Sequence, residues 1–277
     1  MAAAGSPTVR RLELGTQLRA LRNGLNLTVE QVADQLLCSP SKISRLETGH
    51  RGATLRDVRD LCDLYGVTDR AERDRLMTLA REARRSAWWQ SYDLNYSTYV
   101  GLEAEARSIK GFQSSVVPGL LQTAEYARAG HEGALPRHGP DEIERMIEAK
   151  LTRQLILTKP DAPSFDVVVD EAVLHRMTGG PTVMAAQRVR LIEAARLPNI
   201  TIRVIPFTVG AHPGVESNFN ILELPASLGV VFVEGLVGSI YLQKPEDLDR
   251  YRAVFDHLRN IALSPEDTLA LIAGLHG

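Results

Sequence analysis

The segment Thr28–Gly49, TVEQVADQLLCSPSKISRLETG, contains two short runs of helical spacing that meet at a tight connection. If Val29 begins the first helix, Ala33 falls where two crossing helices need a small side chain. On the same count, Ile43 falls where the second helix needs an apolar side chain. Ser39, which is followed by proline, is typical of a helix start. The segment therefore predicts a helix-turn-helix.

The second predicted helix has one apolar face and one polar face. Ile43 and Leu46 share the inward side by helical spacing, and this leaves Ser41, Lys42 and Arg45 on the opposite side. A hydroxyl, an ammonium and a guanidinium near a helix N-terminus suit contacts with base edges and phosphates. We therefore predict that this helix lies in a DNA major groove with its first residues nearest the bases.

The run Ser39–Gly49, SPSKISRLETG, resembles the second half of the lambda-repressor-like (Xre) helix-turn-helix, and the resemblance extends over about residues 10–70. It implies a DNA-binding regulator in which Ser41, Lys42 and Arg45 are the candidates for reading bases. The implied contacts to DNA phosphates are Thr28, Gln31, Ser39 and Ser44. Arg51 is a further candidate for a phosphate contact.

Two other positions in this segment have predicted structural roles. By the same resemblance, Glu47 is a structural acid that pairs with an arginine of the first helix, Arg19 or Arg22. The family often has glycine with a positive φ in the turn, where this chain has Leu37. A non-glycine residue in that conformation costs about 1 to 2 kcal/mol. We therefore expect a turn that is either strained or slightly reshaped.

The sequence around this segment predicts a small helical domain over residues 10–85. Apolar residues recur there at helical spacing in five short runs. Residues 1–85 carry 15 Lys and Arg against 11 Asp and Glu, whereas the rest of the chain carries 17 against 23. A basic first part favours a polyanionic partner for that part alone. The arginine-rich segment 70–85 is interpreted as a charged connector, with either a solvated face or contacts to DNA phosphates.

An aromatic segment, residues 86–100 (SAWWQSYDLNYSTYV), follows as a predicted connector. Both tryptophans and three of the seven tyrosines lie in it. Aromatic rings gain free energy when they are buried against a neighbour. The segment is therefore either a strap that docks onto the following domain or a contact for a ligand or dimer partner, with Trp88, Trp89 and Tyr92 as the candidate residues.

Residues 101–277 predict an α+β domain. Helical spacing is found first, over Glu103–Gln113, Gln122–Gly130 and Asp141–Leu157. Short β-rich runs follow at Phe165–Val169, Ile200–Ile205, Phe219–Leu224, Val230–Val233 and Ser239–Leu242. Further helices are predicted at Pro181–Ala195, Pro245–Asn260 and Pro265–Gly274. Because several strands come in near succession, we expect a mostly antiparallel sheet behind a mainly α N-terminal bundle.

Four motifs of this second part are YVGLEAEA at 99–106, VPGLLQT at 117–123, VDEA at 169–172 and GAHPG at 210–214. With others spread over residues 88–275, they resemble the C-terminal domain of Scr-type, WhiJ-like regulators, which are abundant in actinobacteria such as Streptomyces. The resemblance implies a transcriptional regulator or an antitoxin-like protein, commonly paired with a small BldB-like protein.

The VPGLLQT motif also has a physical interpretation of its own. Pro118 fixes φ, and Gly119 permits a sharp turn. Leu120 then enters a new helix, with Gln122 and Thr123 near its start. Either this is a rigid elbow that packs its leucines into the core, or it is a rim where a partner peptide or small effector docks.

The sequence disfavours several classes of function. It contains no HExxH, CxxC, GxGxxG or GxxxxGK[ST] pattern, and its two cysteines are too few for a cysteine-based zinc site. We therefore predict no enzyme activity, no metal and no cofactor. No apolar run approaches the roughly 18 residues that span a bilayer, and the start lacks the order of a signal peptide. We predict a cytoplasmic, nucleoid-associated protein without a membrane segment.

Together these features predict a sequence-specific regulator of transcription that binds double-stranded DNA as a homodimer. Two recognition helices would lie in successive major grooves of a pseudo-palindromic site, while the C-terminal domain mediates dimerisation and the response to a partner or effector. One alternative is an antitoxin-like protein that neutralises a small BldB-like partner and regulates its own gene. The other is a regulator that senses a small molecule.

Overall fold

The computed structural model describes residues 6–92, 96–135, 138–235 and 238–275, which form two compact units. Unit 1 consists of the described residues of Met1–Ser91 with Ser97–Glu105. Unit 2 consists of those of Tyr92–Tyr96 with Ala106–Gly277. Residues 93–95 of the predicted aromatic connector lie outside the described residues.

Unit 1 begins with five α-helices, so the helical prediction for this part of the chain is confirmed. They are α1 Pro7–Gly24, α2 Val29–Gln35, α3 Pro40–Glu47, α4 Leu55–Leu64 and α5 Arg70–Glu82. Their apolar faces meet in one core, which buries Leu18, Val32, Ile43, Leu61 and Leu76. The helices α2 and α3, joined by a short turn, form the predicted helix-turn-helix.

Hydrogen-bonded caps fix where α2, α3 and α4 begin. Thr28 and Thr54 each form a capping box. The threonine hydroxyl accepts a hydrogen bond from the backbone N–H of the residue three positions later. The side chain of that residue in turn accepts from the backbone N–H of the threonine. Ser39 Oγ accepts from the backbone N–H of Lys42 at 3.2 Å. These local bonds explain why the helix starts could be located from the sequence.

A glycine lets α1 approach α3 closely. A Cβ on Gly15 would lie 2.5 Å from the carbonyl oxygen of Leu46 and 2.6 Å from that of Glu47. Both atoms belong to the backbone and cannot rotate away. The contact therefore requires glycine, and it sets how closely the end of α3 lies against α1.

Unit 1 also contains most of the described part of the aromatic segment. A 3-10 helix spans Trp88–Tyr92, and α6 spans Ser97–Glu103. Trp89 is buried, and its ring lies 3.1 Å from the position of a Cβ on Gly101. Ser6 Oγ donates to the carbonyl of Gly101 at 2.6 Å. Within unit 1, α6 is thereby joined to the residue that precedes α1.

The described part of unit 2 contains a six-stranded sheet. Its strands are β1 Ser108–Gln113, β2 Ser164–Asp170, β3 Ile200–Ile205, β4 Phe219–Glu223, β5 Gly229–Gly235 and β6 Gly238–Leu242. Their order is β3-β2-β1-β4-β5-β6. The pairs β1·β2 and β2·β3 are parallel, whereas β1·β4, β4·β5 and β5·β6 are antiparallel. The predicted mostly antiparallel sheet is confirmed, with a parallel part at one side.

The predicted helix over Glu103–Gln113 is wrong. The helix α6 ends at Glu103, and Ser108–Gln113 forms β1, an inner strand. Ile109 and Phe112 of this strand are completely buried. Hydrogen bonding to β2 on one side and to β4 on the other outweighs a weak local preference, because strand formation depends strongly on tertiary context.

Six α-helices accompany the sheet in the described ranges of unit 2. They are α7 Ala124–Glu132, α8 Pro140–Gln154, α9 Ala172–His175, α10 Pro181–Ala194, α11 Pro245–Ile261 and α12 Pro265–Gly274. The bounds of α10, α11 and α12 agree with the prediction within one residue. Phe255 and Leu258 of α11 are buried in a core with Ile221 and Val231 of the sheet.

Candidate nucleic-acid interface

The exposed face of α3 carries three polar side chains. Ser41, Ser44 and Arg45 are exposed, whereas Ile43 and Leu46 on the opposite side are buried in unit 1. Within the described ranges, the guanidinium of Arg45 forms no ion pair. A guanidinium beside hydroxyls on a helix face can hydrogen-bond with base edges in a major groove.

The predicted phosphate contacts Thr28, Gln31 and Ser39 lie at the exposed starts of α2 and α3. Thr28 Oγ1 accepts from the backbone N–H of Gln31 at 3.2 Å, while Gln31 Oε1 accepts from the backbone N–H of Thr28 at 2.8 Å. These bonds use acceptor atoms, so the hydroxyl hydrogens and the Gln31 amide can still donate. The caps thus place donors where helix N-termini favour anions.

Lys42 differs from its neighbours on α3, because its ammonium is bound within unit 1. Its Nζ lies 2.6 Å from Oδ1 of Asp57 at the start of α4. The side chain of Lys42 is 28% exposed. Lys42 therefore ties the start of α3 to the start of α4, while Ser41 and Arg45 stay at the surface.

A buried ion pair fixes the end of α3 against α1. Arg22 Nε lies 2.6 Å from Oε1 of Glu47, and Arg22 Nη2 lies 2.9 Å from Oε2. The hydrogen bond that Arg22 donates to Glu47 raises the pKa of Arg22. Arg19 Nε lies farther from Glu47, at 3.6 Å. The predicted pairing of Glu47 with an arginine of the first helix is confirmed, and Arg22 is its main partner.

Of the two outcomes expected for the turn between α2 and α3, a strained residue or a reshaped backbone, the structure has the first. Leu37 has a φ of 49°, and its side chain is 94% exposed. The neighbouring backbone N–H of Cys38 donates to the carbonyl of Ala33 at 2.9 Å. The turn therefore keeps the left-handed conformation although a leucine occupies it.

Further arginines follow α3 in the chain. Arg51 is exposed, and its backbone N–H donates to the carbonyl of Arg45 at 2.9 Å. In α5, Arg73 forms an ion pair with Asp63. Most other arginines between residues 70 and 85 are exposed. These side chains supply positive charge at the surface of unit 1.

The VPGLLQT motif forms a turn in the interior of unit 2. Pro118, Leu120 and Gln122 are buried, whereas Gly119 and Thr123 are half-buried.

Gln122 connects this turn to α8. Its Nε2 donates to the carbonyl of Val117 at 2.7 Å, and Lys150 Nζ donates to its Oε1 at 2.6 Å. Desolvation and the nearby charge of Arg153 lower the pKa of Lys150 to about 8. The motif thus contains a buried glutamine that is hydrogen-bonded to a lysine with a lowered pKa.

The three aromatic candidates have different surroundings. Trp89 is buried and Trp88 is 38% exposed, with their ring centroids 5.7 Å apart in an edge-to-face arrangement. Both belong to unit 1. Tyr92 belongs to unit 2, where burial and the charge of Glu148 raise its pKa.

The surroundings of two histidines of unit 2 were not predicted. His212 lies in a loop, yet it is buried, with its Nε2 3.2 Å from Oδ2 of Asp170. His131 borders a cavity of about 280 Å³ between α7 and α8, and desolvation lowers its pKa to about 4. Asp170 lies 42 residues before His212, and the cavity beside His131 is also lined by α8, so no local pattern indicates these sites.

Metal clusters and membrane spans are both absent from the residues that the structure describes. Among those residues, no group of three or more His, Cys, Asp and Glu side chains is placed to hold a metal ion. In the same ranges, no helix is both long and apolar enough to cross a membrane.

Comparison with known proteins gives two family matches and one similar characterised protein. Residues 96–274 match the family described as "Domain of unknown function (DUF5753)", and residues 13–76 match a "Helix-turn-helix domain". The "HTH-type transcriptional activator BcrR" of Enterococcus faecalis is 32% identical over 87 residues. These residues are 31% of this chain and 43% of that protein, so the chain matches less than half of its relative. No solved structure shows significant similarity.

Proposed function

The chain belongs to the DUF5753 family and also carries a helix-turn-helix domain, and we propose that it regulates transcription by binding a specific DNA sequence. The observation that carries this proposal is the face of α3. Ser41 and Arg45 are exposed there, while Glu47 and the apolar residues of α3 anchor the helix in unit 1. The partial similarity to a transcriptional activator supports it.

In this proposal α3 enters the major groove, and Arg45 and Ser41 contact base edges. Lys42 holds the start of α3 against the start of α4. Thr28, Gln31, Ser39, Ser44 and Arg51 contact phosphates. Two copies of the chain would bind half-sites about 34 Å apart, one helical turn of DNA. The sign of regulation follows from where that site lies relative to the promoter.

For unit 2, we propose that it sets the dimer geometry or receives a partner or effector, such as a small BldB-like protein. The cavity between α7 and α8 supports a small-molecule response, since the Nε2 of His131 beside it is buried without a hydrogen-bond partner among the described residues. Light scattering on the chain with and without a candidate partner protein would measure the stoichiometry.

The proposed function is tested by fluorescence anisotropy of the full chain on two duplexes, one from upstream of its own gene and one scrambled, at two salt concentrations. A specific regulator should prefer the first duplex a hundredfold or more, and the preference should persist at higher salt. Equal, salt-sensitive binding of both duplexes would contradict specific recognition by the chain alone.

The variant Arg45→Ala tests the role of α3 directly. We expect it to cost about 1 to 3 kcal/mol on the specific duplex and to relax the sequence preference. The matched control Arg51→Ala, a proposed phosphate contact, should weaken binding to both duplexes alike. Equal losses on the two duplexes for Arg45→Ala would remove Arg45 from the base-reading residues.

A further inference from the structure

The ion pair between Lys42 and Asp57 joins the start of α3, which carries the proposed DNA-binding face, to the start of α4. Lys42 is the third residue of α3, and Asp57 is the third residue of α4. Their side chains are 28% and 14% exposed, and Nζ lies 2.6 Å from Oδ1. A pair with so little solvent contact is screened by salt much less than a fully exposed one.

Asp57 is a rigid partner for this lysine. Its Oδ2 accepts from the backbone N–H of Thr54 at 2.9 Å and from the Thr54 hydroxyl at 2.8 Å. Burial acts to raise the pKa of Asp57, but the hydrogen bonds from Lys42 and Thr54 outweigh it, and the pKa is lowered. The carboxylate is therefore charged and fixed in place at neutral pH.

Lys42 and Arg45 have different electrostatic environments although the sequence places both on the same helix. Arg45 is exposed and forms no ion pair with a described residue, whereas the charge of Lys42 is balanced by Asp57. Binding to unrelated DNA depends on the number of cations that reach phosphates, and specific binding also depends on contacts with bases. An acid that pairs with one lysine therefore weakens binding to unrelated DNA more than it weakens binding to the specific sequence.

We propose that Asp57 is a specificity-determining residue, which withholds the Lys42 ammonium from DNA phosphates and thereby suppresses binding to unrelated sequences. This inference rests on the proposed function. It changes the role of Lys42 from a base-reading residue to a positioning residue that joins α3 to α4.

The test compares Asp57→Asn, Lys42→Met and the double variant in the full chain, on the scrambled duplex and over a series of salt concentrations. Asparagine keeps an oxygen that can accept from Thr54, and a thermal melt checks that each variant folds. We expect Asp57→Asn to bind the scrambled duplex about three- to tenfold more tightly at low salt, with a salt slope steeper by about 0.9, which is one additional phosphate contact. Lys42→Met alone should leave that slope unchanged.

The double variant separates a released lysine from the simple loss of a negative charge. If Lys42 is the cation released, the double variant, which has neither charge, should bind the scrambled duplex as the wild type does and lose the gain of Asp57→Asn. The proposal would be overturned by a double variant that binds as tightly as Asp57→Asn. An unchanged salt slope in Asp57→Asn, or a shallower one in Lys42→Met, would also overturn it. Because this readout uses variants on unrelated DNA, it is independent of the wild type's preference for the upstream duplex over the scrambled one, whose absence would contradict the proposed function instead.

Discussion

Leu37 shows how one residue can store backbone strain in the turn before α3. Its φ of 49° lies in the left-handed region, which costs a non-glycine residue about 1 to 2 kcal/mol. Its side chain is 94% exposed, so it makes little compensating contact. The turn conformation is therefore imposed by the packing of α2 and α3 on either side of it.

The substitution Leu37→Gly should raise the free energy of unfolding by up to about 1 kcal/mol. The relief of the left-handed conformation exceeds the entropy of roughly 0.5 to 1 kcal/mol that glycine loses on folding. Urea denaturation of both proteins measures the difference. The control Gln35→Gly, at an exposed position of α2, should lower the stability instead. A loss of stability in both variants would show that Leu37 is not strained.

At the scale of elements, the contact between α1 and α3 depends on Gly15. A methyl group there would meet two backbone carbonyl oxygens at 2.5 and 2.6 Å. The helix α3 would have to move away from α1, and the Arg22–Glu47 pair that spans the same two helices would be disturbed. The position of the proposed DNA-binding face therefore depends on a residue that has no side chain with which to contact DNA.

We expect Gly15→Ala to lower the free energy of unfolding by about 3 kcal/mol, since overpacking against backbone cannot be relieved by a side-chain rotation. Thermal and chemical denaturation would measure this loss. Gly24→Ala is the matched control, because Gly24 lies in the same helix and, among the described residues, a methyl group there would meet no atom of another element within 4 Å. That control should be neutral or stabilise by roughly 0.5 to 1 kcal/mol. Similar effects of the two substitutions would contradict the close approach of α1 and α3.

At the scale of elements, the sequence predicts helices correctly where its local pattern is strong. The helices α10 to α12 begin at prolines and end within one residue of the predicted bounds. The sequence does not indicate the strand β1, because the short run SIKGFQ contains a glycine and three polar residues and few β-branched ones. Its state is set by β2, more than 50 residues later, and by β4, more than 100 residues later. Spacing within the run carries no information about these partners.

At the scale of the whole molecule, the desolvated lysine of unit 2 should make stability depend on pH. The pKa of Lys150 is lowered from 10.5 to about 8 by desolvation and by Arg153. Below pH 8 the lysine is charged in both the folded and the unfolded chain, so folding includes the full cost of desolvating the charge. Between pH 8 and 10.5 the folded protein releases the proton first, and this cost is progressively removed.

The stability of the wild type relative to Lys150→Met should therefore rise by about 2 kcal/mol between pH 7 and pH 10. Denaturation of both proteins at several pH values measures this difference, in which other titrating groups cancel. The variant also loses the hydrogen bond to Gln122. This loss adds a constant to the stability difference and does not change how that difference varies with pH. A constant difference for Lys150→Met would show that its ammonium is hydrated in the folded state.

The sequence by itself determined the helix-turn-helix, the helix starts at Thr28 and Ser39, the left-handed turn at Leu37 and the pairing of Glu47 with the first helix. The first two depend on hydrogen bonds and spacing within a few residues, and the last two are implied by the family resemblance. Tertiary structure alone decided that β1 is a strand, that Lys42 is held by Asp57, that Lys150 is desolvated and that His212 is buried. These properties arise where separate elements meet, and desolvation and ion pairing there depend on atoms that the local sequence does not contain.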